Sequence, residues 1–339
     1  MVVRTEAEIW AEQLETKPLA VVTGDLTKKT IIVTGANSGL GLEACRHFAR
    51  MNPKKLILAC RSLENAHAAI SDIDCAAAEA WQLDLGSFQS VLDFSERAEK
   101  ELERVDVLVA NAAIASFDMN ITADGYEQML QVNVLSNLLL ALRLSPLLIN
   151  TAKTHGTVSR IVTVSSGLFY TSTLDSTILG GKTNVYKVMS DKEYYKSSPL
   201  ASTMNRYTET KLIEVFYTRS LQAHVGTGAP LSVSCLDPGF CISNIRRSMD
   251  GPIKEHFSEM EKNGAYTSEE GSRQLVYGAV GGDAETLKGQ FFSMCEVREV
   301  SDYVLQNADI QNRLWNDAIE VLETVDPKLK QALESTSEP

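Results

Sequence analysis

The stretch Thr30-Ile31-Ile32-Val33-Thr34-Gly35-Ala36-Asn37-Ser38-Gly39-Leu40-Gly41 decides the fold. A short run of β-branched apolar residues reads as a buried strand, and it ends directly in a glycine-rich turn. The turn passes into a helical stretch with apolar positions at Leu42, Cys45, Phe48 and Ala49. Glycines permit the tight turn and let the backbone approach a pyrophosphate at the helix N-terminus, where unpaired N–H groups favour an anion. Strand, spacing and helix agree, so Gly35, Asn37, Ser38, Gly39, Leu40 and Gly41 are read as a phosphate cradle.

Outward from this turn, short apolar runs alternate with longer helical stretches, the pattern of βαβ units and a parallel sheet. Strands are expected at Thr30 to Thr34, Lys55 to Ala59, Glu79 to Leu83, Val105 to Ala110, Arg160 to Ser165, Leu231 to Leu236 and Gln290 to Ser293. The clearest helices are Gly39 to Arg50, Phe88 to Glu103, Ala123 to Leu148, Met204 to Gln222 and Ser268 to Val280. The fold class is therefore α/β: a doubly wound Rossmann sheet of about seven parallel strands in a single domain with long substrate loops. An extension over residues 1–25, with an amphipathic helix around Glu6 to Leu14, precedes a core over 26–296, and a helical extension over 297–339 follows it. Two passages break the rhythm, 167–202 and 240–267, and loops this long are usually functional or mobile.

Composition narrows the function. The chain of 339 residues carries 44 acidic against 32 basic residues, a net charge of -12 that opposes nucleic acid and anionic lipid. Six scattered cysteines and five isolated histidines include no pair at zinc-ligand spacing, so no metal is assigned. No N-terminal leader pattern and no run near the ~18 apolar residues of a spanning helix is seen, so a cytoplasmic protein without a membrane span is expected.

At the end of the second strand, an acidic residue would hydrogen-bond the adenosine ribose of NAD. Cys60-Arg61 stands there instead, and a guanidinium suits a 2'-phosphate, so NADP(H) is the expected cofactor. Tyr207 and Lys211 lie four apart on one helical face. The ammonium, together with the positive charge of the oxidised nicotinamide, is expected to lower the phenol's pKa and make proton exchange feasible near neutral pH. Upstream, the strand Ile161-Val162-Thr163-Val164 delivers Ser165-Ser166-Gly167 at its carboxyl end, where open α/β sheets bind ligands.

With these motifs in order, the sequence resembles the short-chain dehydrogenase/reductase family over roughly Leu26 to Met294. The series runs Gly35 to Gly41, Asp84-Leu85, Asn111-Ala112-Ala113, Asn133, Ser166, Tyr207/Lys211 and Pro238-Gly239. The resemblance implies that Asp84 contacts the adenine amino group, with Leu85 beside it, and that Asn111 flanks the adenosine half. It implies that Pro238, Gly239, Ile242 and Ser243 embrace the nicotinamide amide and that Lys211 also bonds the nicotinamide ribose. Asn133 would help hold a water-mediated proton path to Lys211, and Ser166 would steady the carbonyl that Tyr207 protonates. Ser165 competes with Ser166, which aligns with the second serine of the family's pair. Asn133 and Asp84 also have plain readings, as a backbone-satisfied helix residue and a turn-former.

The chain departs from the pattern in two places. Ser166 and Tyr207 are 41 positions apart, which makes 167–202 an insertion beside the site, and Ala113 replaces a glycine, so no positive φ is needed there. Arg61, the insertion and the long C-terminus look most similar to retinol-dehydrogenase-like members, including fungal natural-product reductases. The implied reaction interconverts a ketone and a secondary alcohol on a mid-sized apolar metabolite. Non-redox chemistry in the same cofactor site, or NADP binding without turnover, are the alternatives. Tyr170, Tyr186, Tyr194, Tyr195, Phe240 and Phe257 either line a substrate pocket or pack on one another. The apolar stripe Val134 to Leu148 is core or, in this family, the helix pair of a homodimer, while Trp10 anchors the N-terminal extension or sits in an interface.

Overall fold

The computed structural model describes residues 4–15, 19–116, 118–197, 203–247 and 251–337. After helix α1 (Glu6–Glu15), strand and helix alternate: β1 (Thr30–Thr34), α2 (Gly39–Ala49), β2 (Lys55–Cys60), α3 (Leu63–Ile73), β3 (Ala78–Gln82), α4 (Phe88–Glu101) and β4 (Val107–Ala110). A π-helical turn, Leu130–Leu135, then runs into α5 (Ser136–His155), followed by β5 (Ser159–Val164). Three short helices, α6 (Ser176–Gly180), α7 (Val185–Met189) and α8 (Lys192–Ser197), precede the long α9 (Thr203–Val225) and β6 (Leu231–Asp237). The rest comprises α10 (Gly251–Gly264), α11 (Ser268–Val276), α12 (Ala284–Leu287), β7 (Phe291–Ser293), β8 (Glu296–Arg298), α13 (Asp302–Gln306), α14 (Ala308–Val325) and α15 (Leu329–Thr336).

The sheet order is β3-β2-β1-β4-β5-β6-β7-β8, parallel up to β7. Central strands are apolar on both faces because both are covered. Ile32, Ile57, Leu108 and Ile161 enter one core with residues of α4, α5, α9 and α14, whereas Ile31, Val33, Leu58 and Val109 enter the other with residues of α2 and α11. This is the doubly wound Rossmann arrangement that the sequence pattern predicts.

The structure adds an eighth, antiparallel strand where the sequence reading ends the core at residue 296. Its turn is Met294-Cys295, both in the left-handed region with φ of 54° and 58°. Hairpin turns of that kind normally signal themselves through Asn or Gly, so nothing in the sequence marked this one. The helix predicted from Ala123 begins instead at the π-turn, after an isolated bridge between Ile121 and Glu127, and ends at Gly156 with φ 62°.

Passage 167–202 is not an open loop. Among its described residues, Asn184 Nδ2 donates to the Asp317 carbonyl at 2.8 Å, Val185 N–H to the Asp317 carboxylate at 2.7 Å, and the Tyr186 hydroxyl to the Leu314 carbonyl at 3.2 Å. The insertion is thereby packed onto α14; residues 198–202 lie outside the described part.

The stripe Val134 to Leu148 is likewise buried within the chain, with α4 and α15 against α5 while α14 covers α9. The segment Leu130–His155 is long and apolar enough to cross a membrane, and its most apolar window is 89% buried in the protein. Inside it Arg143, 3% exposed, donates to Glu99 at 2.6 Å and to Asp326, just past α14, at 2.9 Å. Loss of Asp326 would leave the buried guanidinium with only the partly exposed Glu99 to compensate it. Asp326→Ala should therefore lower unfolding free energy by about 3 kcal/mol in urea titration.

Candidate active site

The carboxyl ends of β1, β2, β4, β5 and β6 surround a cavity of about 730 Å³. At its floor, Gly35 and Gly39 have φ of 64° and 58°, and a Cβ on Gly41 would sit 2.6 Å from both Asn111 Nδ2 and the Gly35 carbonyl. These approaches demand glycine. Asn111 Nδ2 donates to the Thr34 carbonyl at 2.8 Å, and Thr34 Oγ1 accepts the N–H groups of Asn111 and Ala112 at 3.0 and 2.9 Å. Asn111 thus ties β4 to the glycine turn as well as facing the cavity. Ser38 caps α2 without a side-chain hydrogen bond, which leaves the helix's first N–H groups to an anion.

The cradle residues Gly35, Asn37, Ser38, Gly39 and Leu40 line the cavity, as do Arg61, Asp84 and Leu85. Arg61 is exposed, with no acid in ion-pair distance among the described residues. Asp84 Oδ1 accepts the Gly86 N–H at 2.8 Å, so the carboxylate shapes its own turn at the cavity edge. Ala113 lines the wall without positive φ. A cradle closed to any Cβ, an uncapped helix end and an unpaired guanidinium together suit a phosphorylated dinucleotide.

Ser166, Tyr207 and Lys211 line the same cavity, beside Pro238, Gly239 and Ser243. Ser165 Oγ donates to the Lys211 carbonyl at 3.0 Å, whereas Ser166 Oγ accepts the Leu168 N–H at 3.2 Å. Ser165 is spent on the helix, and Ser166 keeps its own proton for a ligand. Lys211 Nζ sits 5.6 Å from the Tyr207 ring centre. It donates to both oxygens of Glu214, at 2.9 and 3.1 Å, and to the Val164 carbonyl at 3.0 Å.

The protein's own groups do not by themselves lower the Tyr207 pKa. Burial pushes the phenol up, Lys211 pulls it down, Glu214 opposes Lys211, and the balance is upward. Burial also pushes the Glu214 carboxyl up, to about 7, against the pull of Lys211. The balance of these groups favours the protonated phenol.

Three expected site residues stand outside the cavity lining: Gly41, Asn133 and Ile242. Gly41 serves the packing of α2 on the turn. Asn133, fully buried, accepts the Ile114 N–H at 2.9 Å and donates to the Ile114 carbonyl at 3.0 Å and to Thr210 Oγ1 at 3.1 Å. It pins the wall after β4 to α9 next to Lys211, and the π-turn is what turns it there. Ile242 is 48% exposed, because its N–H donates to the Tyr266 carbonyl and its carbonyl accepts from Ser268, which hold it on the outside of the loop. None of Tyr170, Tyr186, Tyr194 and Tyr195 lines the cavity; Tyr170 donates to the Glu299 carbonyl, and Tyr194 to Asp175.

Phe240 and Phe257 do line it, stacked with centres 6.1 Å apart. Their partner is one that sequence reasoning left as an extension. Helix α1 brings Ile9, Trp10 and Gln13 into the wall, with Trp10 edge-on to Phe240 at 5.6 Å. Gln13 Nε2 donates to the Phe240 and Gly264 carbonyls, both at 2.8 Å, while its Oε1 accepts the Phe240 N–H at 2.6 Å. The amphipathic period of Glu6 to Leu14 signalled a packed helix but not its target, more than two hundred residues away in sequence.

A family model described as short chain dehydrogenase matches residues 29–171. Short chain dehydrogenase/reductase dmxR8 of Cryptosporiopsis sp. (strain 8999) is 35% identical over 92% of this chain and 95% of that protein. Short chain dehydrogenase sor7 of Hypocrea jecorina (strain QM6a) is 30% identical over 83% of this chain and 79% of its own length. Among solved structures, an uncharacterized protein from Mycobacterium Paratuberculosis superposes with a TM-score of 0.67 at 23% identity, over 89% of this chain and 97% of that one, a likeness of fold. Sequence kinship along nearly the whole chain, on the sheet and cleft described above, makes this protein a member of the short-chain dehydrogenase/reductase family.

Proposed function

We propose that the protein is an NADP-dependent oxidoreductase that interconverts a ketone and a secondary alcohol on a mid-sized apolar metabolite, in fungal secondary metabolism. The observation that carries this reading is that Ser166, Tyr207 and Lys211 share one cavity with the glycine cradle and Arg61. The fungal relatives support the metabolic setting.

In reduction, the substrate carbonyl oxygen accepts a hydrogen bond from Ser166 Oγ, which polarises the bond and fixes its distance from the tyrosine. Tyr207 gives its phenol proton to that oxygen as negative charge develops there. The bound nicotinamide supplies the hydride. Lys211, whose three N–H groups are taken by Glu214 and the Val164 carbonyl, stabilises by its charge the phenolate left behind. Arg61 clasps the 2'-phosphate at the end of β2. The apolar wall of Ile9, Trp10, Leu168, Phe240 and Phe257 excludes water and receives the substrate body.

Tyr207→Phe should lower kcat by about a thousandfold on a working ketone, with NADPH affinity nearly kept. Turnover equal to wild type would refute the acid. Mass analysis of the product should show a gain of two hydrogens, and an unchanged mass would replace reduction by isomerisation. Arg61→Ala should weaken NADPH about tenfold by fluorescence titration, about 1.4 kcal/mol, and leave NADH unchanged. Equal wild-type affinities for the two cofactors would defeat the NADP preference. Trp10→Ala should raise KM for bulky apolar ketones about tenfold, and an unchanged KM would remove α1 from the substrate wall.

A further inference from the structure

The catalytic helix carries a buried acid to which the family resemblance gives no role. Glu214 is 1% exposed, one turn beyond Lys211 on the same face. An ammonium has three protons, and three acceptors meet Lys211 Nζ: the two Glu214 oxygens and the Val164 carbonyl, at 2.9 to 3.1 Å. A carboxylate brought into a dry helix face needs compensation, and Lys211 is the cation that gives it.

We propose that Glu214 is a positioning residue for proton transfer: its carboxylate fixes the Lys211 ammonium and offsets that charge at Tyr207. The phenol then stays protonated, and carbonyl reduction continues, to higher pH than a lone lysine would permit. This rests on Tyr207 being the acid of the proposed reaction.

The other charges around the pair do not do this work. Arg246 lowers the Tyr207 pKa, but its guanidinium is held by Glu261 and the Cys241 carbonyl, at 2.6 Å each. Asp237 raises it, and its carboxylate accepts the Gly239 N–H at 3.0 Å. On the far side of Glu214 stand Tyr217, whose hydroxyl donates to Thr163 Oγ1, and Cys235. Burial pushes both of these up, so both are neutral at physiological pH. In Glu214→Gln the amide oxygen and the Val164 carbonyl still accept from the Lys211 ammonium, so loss of the Glu214 charge removes the nearest offset to that cation, 5.6 Å from the phenol ring.

With the negative charge removed, the phenolate is favoured and the Tyr207 titration moves to lower pH. The test is NMR titration of tyrosine labelled with 13C at the phenol carbon, in cofactor-free protein, with the Tyr207 signal identified by its loss in Y207F. Glu214→Gln should lower the midpoint by about one pH unit, and Glu214→Asp should stay near wild type because the charge remains. Glu214→Met supplies the same neutral test should the amide not fold. The alkaline limb of kcat/KM for NADPH-dependent reduction should shift in the same direction in the neutral variants. A midpoint that does not move, or one that moves equally in Glu214→Asp, would overturn the proposal and leave Glu214 a packing residue. A Tyr207→Phe variant that still reduces ketones would instead overturn the proposed acid, while the titration would stand as measured.

Discussion

Parallel strands need crossovers, and where the winding reverses the sheet must open a crevice at its carboxyl edge. Here the reversal falls between β1 and β4, and one small set of hydrogen bonds holds the crevice in shape. Thr34 Oγ1 takes two N–H groups from the β4 end, and the Asn111 amide returns to the β1 end. The rest depends on this lock. It sets how far the glycine turn stands from the wall after β4, and Asn133 then carries that wall to the catalytic helix through Thr210.

Electrostatically the site is a buried pair with a phenol beside it. Glu214 and the Val164 carbonyl fill the hydrogen-bond positions of the Lys211 ammonium and hold it charged in the dry interior. The same carboxylate weakens the lysine's pull on Tyr207, so the tyrosine is poised as a donor. Desolvation is the largest influence on all three groups, which is why spacing along a helix was a poor guide to the phenol's behaviour.

The substrate end is built by parts of the chain that lie far apart. Helix α1, held to the loop after β6 by the Gln13 amide, supplies Ile9 and Trp10, while the insertion after β5 gives Leu168 and then packs under α14. The tyrosines of that insertion looked suited to a pocket because aromatic rings serve cores and pockets equally well. Composition carries no information on which of the two a ring will meet.

The sequence by itself determined the sheet, the cradle and the order of the site motifs. These rest on local rules: β-branched runs between turns make strands, and only glycine tolerates the backbone approaches at Gly35 and Gly41. Tertiary structure alone decided that Asn133 ties the wall after β4 to α9, that Ile242 faces outward, and that Met294-Cys295 closes a hairpin. It alone placed Trp10 opposite Phe240 and set the direction of the Tyr207 shift. Burial and charge proximity arise from residues brought together across hundreds of positions, and a linear pattern does not encode which of them will meet.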